Sequence, residues 1–191
     1  VRWYEAILVV AVAMWIHERL RDRLKSGAPP EAAPEESEES FARDMLPAHE
    51  QAVMEYPDNA DVHIGLARTL DELGRHGEAL EALGRAAKID PGSYADFWSG
   101  MVNLHMGRNV EALEFFDKAA GHHPDDAIVH YSRGRALEGL AGELDPKEAR
   151  GRYEMAAGAF GQALRLDPHH AGASAALDGV RRRLAPAGAA A

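Results

Sequence analysis

The sequence predicts an all-α protein built from stacked helix pairs. Three observations carry that prediction. Ala, Leu and Glu dominate a chain of 191 residues, which favours helix. The stretch 60–91, ADVHIGLARTLDELGRHGEALEALGRAAKIDP, reads as two amphipathic helices joined at Leu73-Gly74 and closed by Asp90-Pro91. Pro57, Pro91, Pro124 and Pro168 each close a helix at separations of 34, 33 and 44 residues, so the pattern recurs.

In chain order, residues 6–16, AILVVAVAMWI, form an uncharged apolar run. A spanning helix needs about 20 apolar residues. Trp3, Tyr4 and Trp15 supply aromatic ends, and Arg19, Arg21, Arg23 and Lys25 give a basic flank. This resembles a short membrane anchor through residues 3–16. The heavier positive charge on its C-terminal side would leave the bulk of the chain in the cytoplasm. Two other readings stay open: an apolar helix packed on protein, and a cleaved signal. Against the signal, no small-x-small cleavage site follows the run. The chain begins at Val1, which processing, truncation or an alternative start codon would each produce.

Residues 26–40, SGAPPEAAPEESEES, read as a solvated linker. Half of the net charge of −10 sits there, on Glu31, Glu35, Glu36, Glu38 and Glu39. The acidic balance argues against a nucleic-acid partner. From Phe41 the pattern becomes helical. Pro47 interrupts it, so the helix is expected over 47–55, with proline in its first turn.

The repeats resemble the tetratricopeptide family from about residue 60 to residue 168. Leu66 and Ala67 match the large and small positions of a first helix, and Gly74 its turn glycine. Ala79, Leu83, Ala86 and Pro91 match the second helix. The second unit supplies Gly107, Ala112, Phe116, Ala119 and Pro124. The third supplies Gly134, Tyr153, Ala156, Phe160, Ala163 and Pro168. The resemblance implies a right-handed α-solenoid of about three helix-turn-helix units, with capping helices at both ends and the apolar helix in front. Units of 60–91, 94–124 and 127–168 and a cap at 170–184 make a domain spanning 41–185, with 186–191 as a disordered tail. No unit buries its apolar face alone, so stacking is obligatory. In the cap, Ala173, Leu177, Val180 and Leu184 share one face.

Two units depart from the pattern. The second is one residue short. Placing Phe97 and Leu104 in its core keeps Asp96, Ser99 and Asn103 out of it, and shortens the turn around Gly107. The alternative puts Gly100 at the small position. The third unit carries about ten extra residues at 141–152. There Asp145-Pro146-Lys147-Glu148 has the chemistry of a helix start, so the second helix is expected to run over 146–166.

No cysteine is present, which excludes disulfides and thiolate sites. Ten histidines include the pairs His122-His123 and His169-His170, but no metal-ligand spacing such as HExxH appears. Phosphate-loop and nucleophile-elbow patterns are absent. The expectation is a protein that is not an enzyme and holds no metal and no cofactor.

The resemblance implies that the first helices line a concave groove for a protein or peptide partner. Its candidates here are Ile64, Arg68, Asp71, Trp98, Val102, His105, Tyr131, Arg135 and Glu138, with Trp98 and Tyr131 as anchors. Ile64 stands where the family's carboxylate-clamp subtype places Lys, so chaperone-tail binding is not expected. The implied function is an interaction scaffold, tethered to a membrane and assisting assembly of a complex. The alternative is a soluble structural subunit held in a stable complex through its N-terminal helix.

Overall fold

Local caps set where each helix begins and ends. A computed structural model describes residues 38–185. The apolar run 6–16, most of the acidic linker and the tail 186–191 lie outside the described residues. Among these, eight helices follow one another: α1 Glu38–Glu55, α2 Ala60–Glu72, α3 His76–Ile89, α4 Ala95–His105, α5 Asn109–His122, α6 Ala127–Gly142, α7 Pro146–Leu166 and α8 Ala171–Leu184. The Asn59 side chain accepts from Asp61 N–H to open α2, and Asp126 accepts from Ile128 N–H to open α6. Gly74 and Gly107 take φ of 71° and 70° after α2 and α4. That left-handed step lets Arg75 N–H reach the Leu70 carbonyl and Arg108 N–H the Asn103 carbonyl.

The chain is an α-solenoid of three helix pairs, α2–α3, α4–α5 and α6–α7, flanked by α1 and α8. Each helix packs on its sequence neighbours. In addition α2 touches α4, α4 touches α6 and α6 touches α8, whereas α3, α5 and α7 do not touch one another. The first helices therefore crowd together along one face, which is the inner face of the solenoid. Three successive apolar clusters run through it. Ala67, Leu83 and Ala86 lie in the first, Ala112, Phe116 and Ala119 in the second, and Ala156, Phe160 and Leu177 in the third.

The second unit corrects the expected register. A Cβ added at Gly100 would lie 2.6 Å from the Phe116 ring, and one at Gly134 would lie 2.5 Å from the Phe160 ring. Gly100 thus holds the small position. Phe97 is nevertheless buried, while Leu104 is half-buried. Ser99 and Asn103 are buried as well, but at little cost. Ser99 Oγ donates to the Ala95 carbonyl and Asn103 Nδ2 to the Ser99 carbonyl, both at 2.8 Å. These bonds satisfy the polar groups inside their own helix. The Gly107 turn repeats the Gly74 turn, so it is not shortened. The missing residue falls between Pro91 and Gly100, and α4 starts five residues before its small position where α2 and α6 start seven before theirs; Tyr94 provides no side-chain cap there.

A second correction concerns α1. It runs unbroken through Pro47, starting at Glu38 instead of at residue 47. An interior proline costs about 3 kcal/mol. Burial of Ala42 and His49, with Leu46 packed on the first cluster, offsets it. His49 hydrogen-bonds Thr69 of α2 at 3.0 Å. Burial, and then the nearby Arg68 charge, hold its ring below the ordinary 6.5.

The insert behaves as its sequence predicts. Helix α7 covers Pro146–Leu166, a rise of about 31 Å. Asp145 caps it by accepting from the N–H groups of Lys147 and Glu148. Helix α7 starts ten residues before buried Ala156, whereas α3 starts three before Ala79; α6 ends eight residues after Gly134, whereas α2 ends five after Ala67. Both helices are therefore lengthened, and Ala141 and Ala149 are buried within the extension.

This packing generates three predictions. Gly100→Ala and Gly134→Ala should each destabilise by about 1–3 kcal/mol through overpacking, despite a helix-propensity gain of about 1 kcal/mol. Gly84→Ala and Gly158→Ala meet no atom within 4 Å and should stabilise by about 0.5–1 kcal/mol; urea midpoints decide both. As pH falls past 6.5, the unfolded chain protonates His49 before the folded one does, so stability is lost. His49→Gln should reduce that acid-side loss, measured as the slope of unfolding free energy from pH 7 to pH 5.

Candidate interaction face

The inner face is built from one turn-spaced row on each first helix. With Gly100 equivalent to Ala67 and Gly134, three sets of positions align across the units. Ile64, Phe97 and Tyr131 form the first set. Arg68, Met101 and Arg135 form the second. Asp71, Leu104 and Glu138 form the third.

This alignment moves the expected residues of the middle helix by one. Val102 is 1 % exposed, lies in the first apolar cluster and offers no surface to a partner. Its equivalents Thr69 and Ala136 are buried too. Met101 and Leu104 are the half-buried residues of this row that the sequence reading did not place on the face, and Phe97 is buried like Ile64. The signal was the spacing of sixteen residues from Ala67 to Leu83, which Gly100 and Phe116 repeat. Ile64 is also buried and contributes packing only.

Trp98 is half-buried at the junction of the first two clusters, edge-on to Phe97 at 5.3 Å. The Arg68 guanidinium lies 4.3 Å from the centre of its ring. This cation–π contact joins the first unit to the second. Beside it, the Asp71 carboxylate is almost wholly buried. One oxygen accepts from His76 Nδ1 and the other from His105 Nδ1, each at 2.7 Å. His76 opens α3 and His105 ends α4, so Asp71 ties the turn of one unit to the helix of the next.

The third unit is arranged differently. Arg135 faces Glu138 at 3.7 Å and donates to the Tyr131 hydroxyl at 3.1 Å. Tyr131 packs against Phe160 at 5.9 Å and His170 at 4.6 Å, so the start of α8 partly covers it. The expected pair of aromatic anchors is therefore largely engaged within the fold. The structure brings Arg68, Trp98, Asp71 and His105 together, and separately Tyr131, Arg135 and Glu138. Among the described residues, no cluster of three or more His, Asp or Glu side chains is arranged to hold a metal. No described helix is long and apolar enough to cross a membrane.

Stacked helix pairs with an inner face of first helices define a helical-repeat module. Residues 46–104 match the family model of the tetratricopeptide repeat. That match covers under a third of the chain, and the described residues share the fold of solved tetratricopeptide-repeat proteins. Among solved structures it is similar to the tetratricopeptide domain of Arabidopsis OM64, at 20 % identity over 64 % of this chain and 94 % of that one, with a TM-score of 0.56. Residues 41 to the end of MamA from Desulfovibrio magneticus RS-1 align at 18 % identity, over 77 % and 85 % of the two chains, with a TM-score of 0.60. The first tetratricopeptide domain of Spaghetti (RPAP3), solved with the HSP90 peptide SRMEEVD, aligns at 19 % identity, over 67 % and 94 %, with a TM-score of 0.55. At these identities the likeness shows the fold. No curated protein matches the sequence.

Removing the Asp71 carboxylate strands two histidines at a joint between units. Asp71→Ala should lower stability by about 1–3 kcal/mol. Glu138→Ala, at the equivalent position of the third unit, should change it by under about 0.5 kcal/mol. Parallel thermal and urea unfolding of the two variants checks the contrast.

Proposed function

We propose that this chain is a non-enzymatic interaction scaffold that takes a segment of a protein partner along the inner face of α2, α4 and α6. The observation that carries the reading is the middle row of that face. Met101 and Leu104 are half-buried apolar side chains between charged residues, Arg68 on one side and Arg135 with Glu138 on the other. An apolar centre with a polar rim is the anatomy of a recognition surface. The neighbour solved with a bound peptide supports a peptide as the kind of partner. Buried Ile64 lacks the charge that a carboxylate clamp would place there, so the partner is not read as a chaperone tail.

A second reading, a structural subunit held permanently in a complex, draws on apolar groups away from that face. Met54, Val110 and Met155 are 46–81 % exposed, and a stable assembly would cover them. Tethering through residues 3–16 is compatible with either reading, and it rests on sequence alone. A tether would raise local concentration near a membrane-bound partner without adding contacts to it.

One experiment separates these readings and a second tests the tether. The full chain and its Met101→Glu, Arg135→Ala variant serve as baits in cell extract, with helicity as the control. Loss of a specific prey supports the inner face; equal capture removes it and favours the outer surfaces. Alkaline carbonate washing then compares the full chain with one beginning at Ser26. Resistance of the full chain alone is expected for a tether, and extraction of both would remove it.

A further inference from the structure

The first and third units carry the same pair, a basic residue followed three positions later by an acid. Arg135 and Glu138 face each other at 3.7 Å. Arg68 and Asp71 do not, because both Asp71 oxygens are taken by His76 and His105. Arg68 is thereby left without a carboxylate among the described residues. It is also exposed on the inner face. The guanidinium is nonetheless held in place, 4.3 Å over the Trp98 ring. The contact leaves its N–H donors available, since none is hydrogen-bonded to a described residue. A pre-positioned cation of this kind loses little freedom when it binds an anion, and its fork matches a carboxylate in two-point contact.

Resting on the inner-face reading above, we infer that Arg68, stacked on Trp98, reads an Asp or Glu side chain of the partner segment, while Met101 receives an apolar residue beside it. Met101 stands on α4 one turn after Trp98, in the same set of positions as Arg68 and Arg135. The middle unit thus supplies contact area where its neighbours supply charge. The acidic residue is internal to the segment, and a free C-terminus is not required. Asp71 supports the site indirectly, since its two histidine partners keep it from neutralising Arg68.

The test is selection of displayed random nonapeptides, fixed between flanking sequences so that no free carboxyl terminus is offered. The full chain, Arg68→Gln, Arg68→Lys and Met101→Glu are the targets, and unchanged helicity is confirmed for each. The expected result is enrichment of Asp or Glu next to an apolar residue on the full chain. On Arg68→Gln the acidic preference should vanish while the apolar one persists. The best acidic peptide should bind Arg68→Gln about 10-fold more weakly or worse, with an intermediate loss on Arg68→Lys. Acidic enrichment that survives Arg68→Gln, or apolar enrichment with no acid on the full chain, overturns the inference and leaves the inner-face reading standing. Peptides that bind Met101→Glu as well as the full chain, or no enrichment at all, overturn both.

Discussion

Everything in this solenoid depends on how closely a first helix can approach the second helix of its own unit. In the second and third units a phenylalanine ring, Phe116 or Phe160, packs closely against the first helix at its small position. The opposing residue has to be glycine, Gly100 or Gly134, because even a methyl group would sit about 2.5 Å from the ring. The first unit has Leu83 in place of the ring and Ala67 in place of glycine. The two positions trade volume, which is what dense packing demands. Burial of alanines at 79, 86, 112, 119, 156 and 163 then follows, since the second helices must approach their neighbours equally closely.

Most of the fold was legible because its signals are local. The Asp145-Pro146 start of α7 needs only an N-cap and a proline at the first helical position, and the structure begins that helix at Pro146. The apolar face of α8 and the glycine turns are equally local. The two misread elements depended on tertiary context. Pro47 looks like a helix start until packing of Ala42 and His49 outweighs the lost backbone bond. Ser99 and Asn103 look like reasons to rotate α4 until their bonds to carbonyls four residues back are counted.

The inner face was legible in part, and the register of α4 explains the shortfall. Reading α4 one residue out of step selected Trp98 and Val102 in place of Phe97 and Met101. On the first and third helices, whose small residues are plain in the sequence, Arg68 and Arg135 lie exposed. What no periodicity reveals is the company each side chain keeps. Tyr131 reads as an open aromatic anchor, yet His170 covers it from the next helix. Asp71 reads as a solvated groove carboxylate, yet it is a joint between two units.

Helix contacts reach only first and second neighbours, so stability is distributed along the chain as in a one-dimensional array. The array is lopsided. Among the described residues, α1 at one end rests on α2 alone and carries an interior proline. Toward the other end α6 and α7 are both lengthened and are capped by α8. Cooperative opening in such a system starts where the coupling is weakest. Within the described residues the lengthened third pair, capped by α8, is therefore the more strongly coupled end of the array.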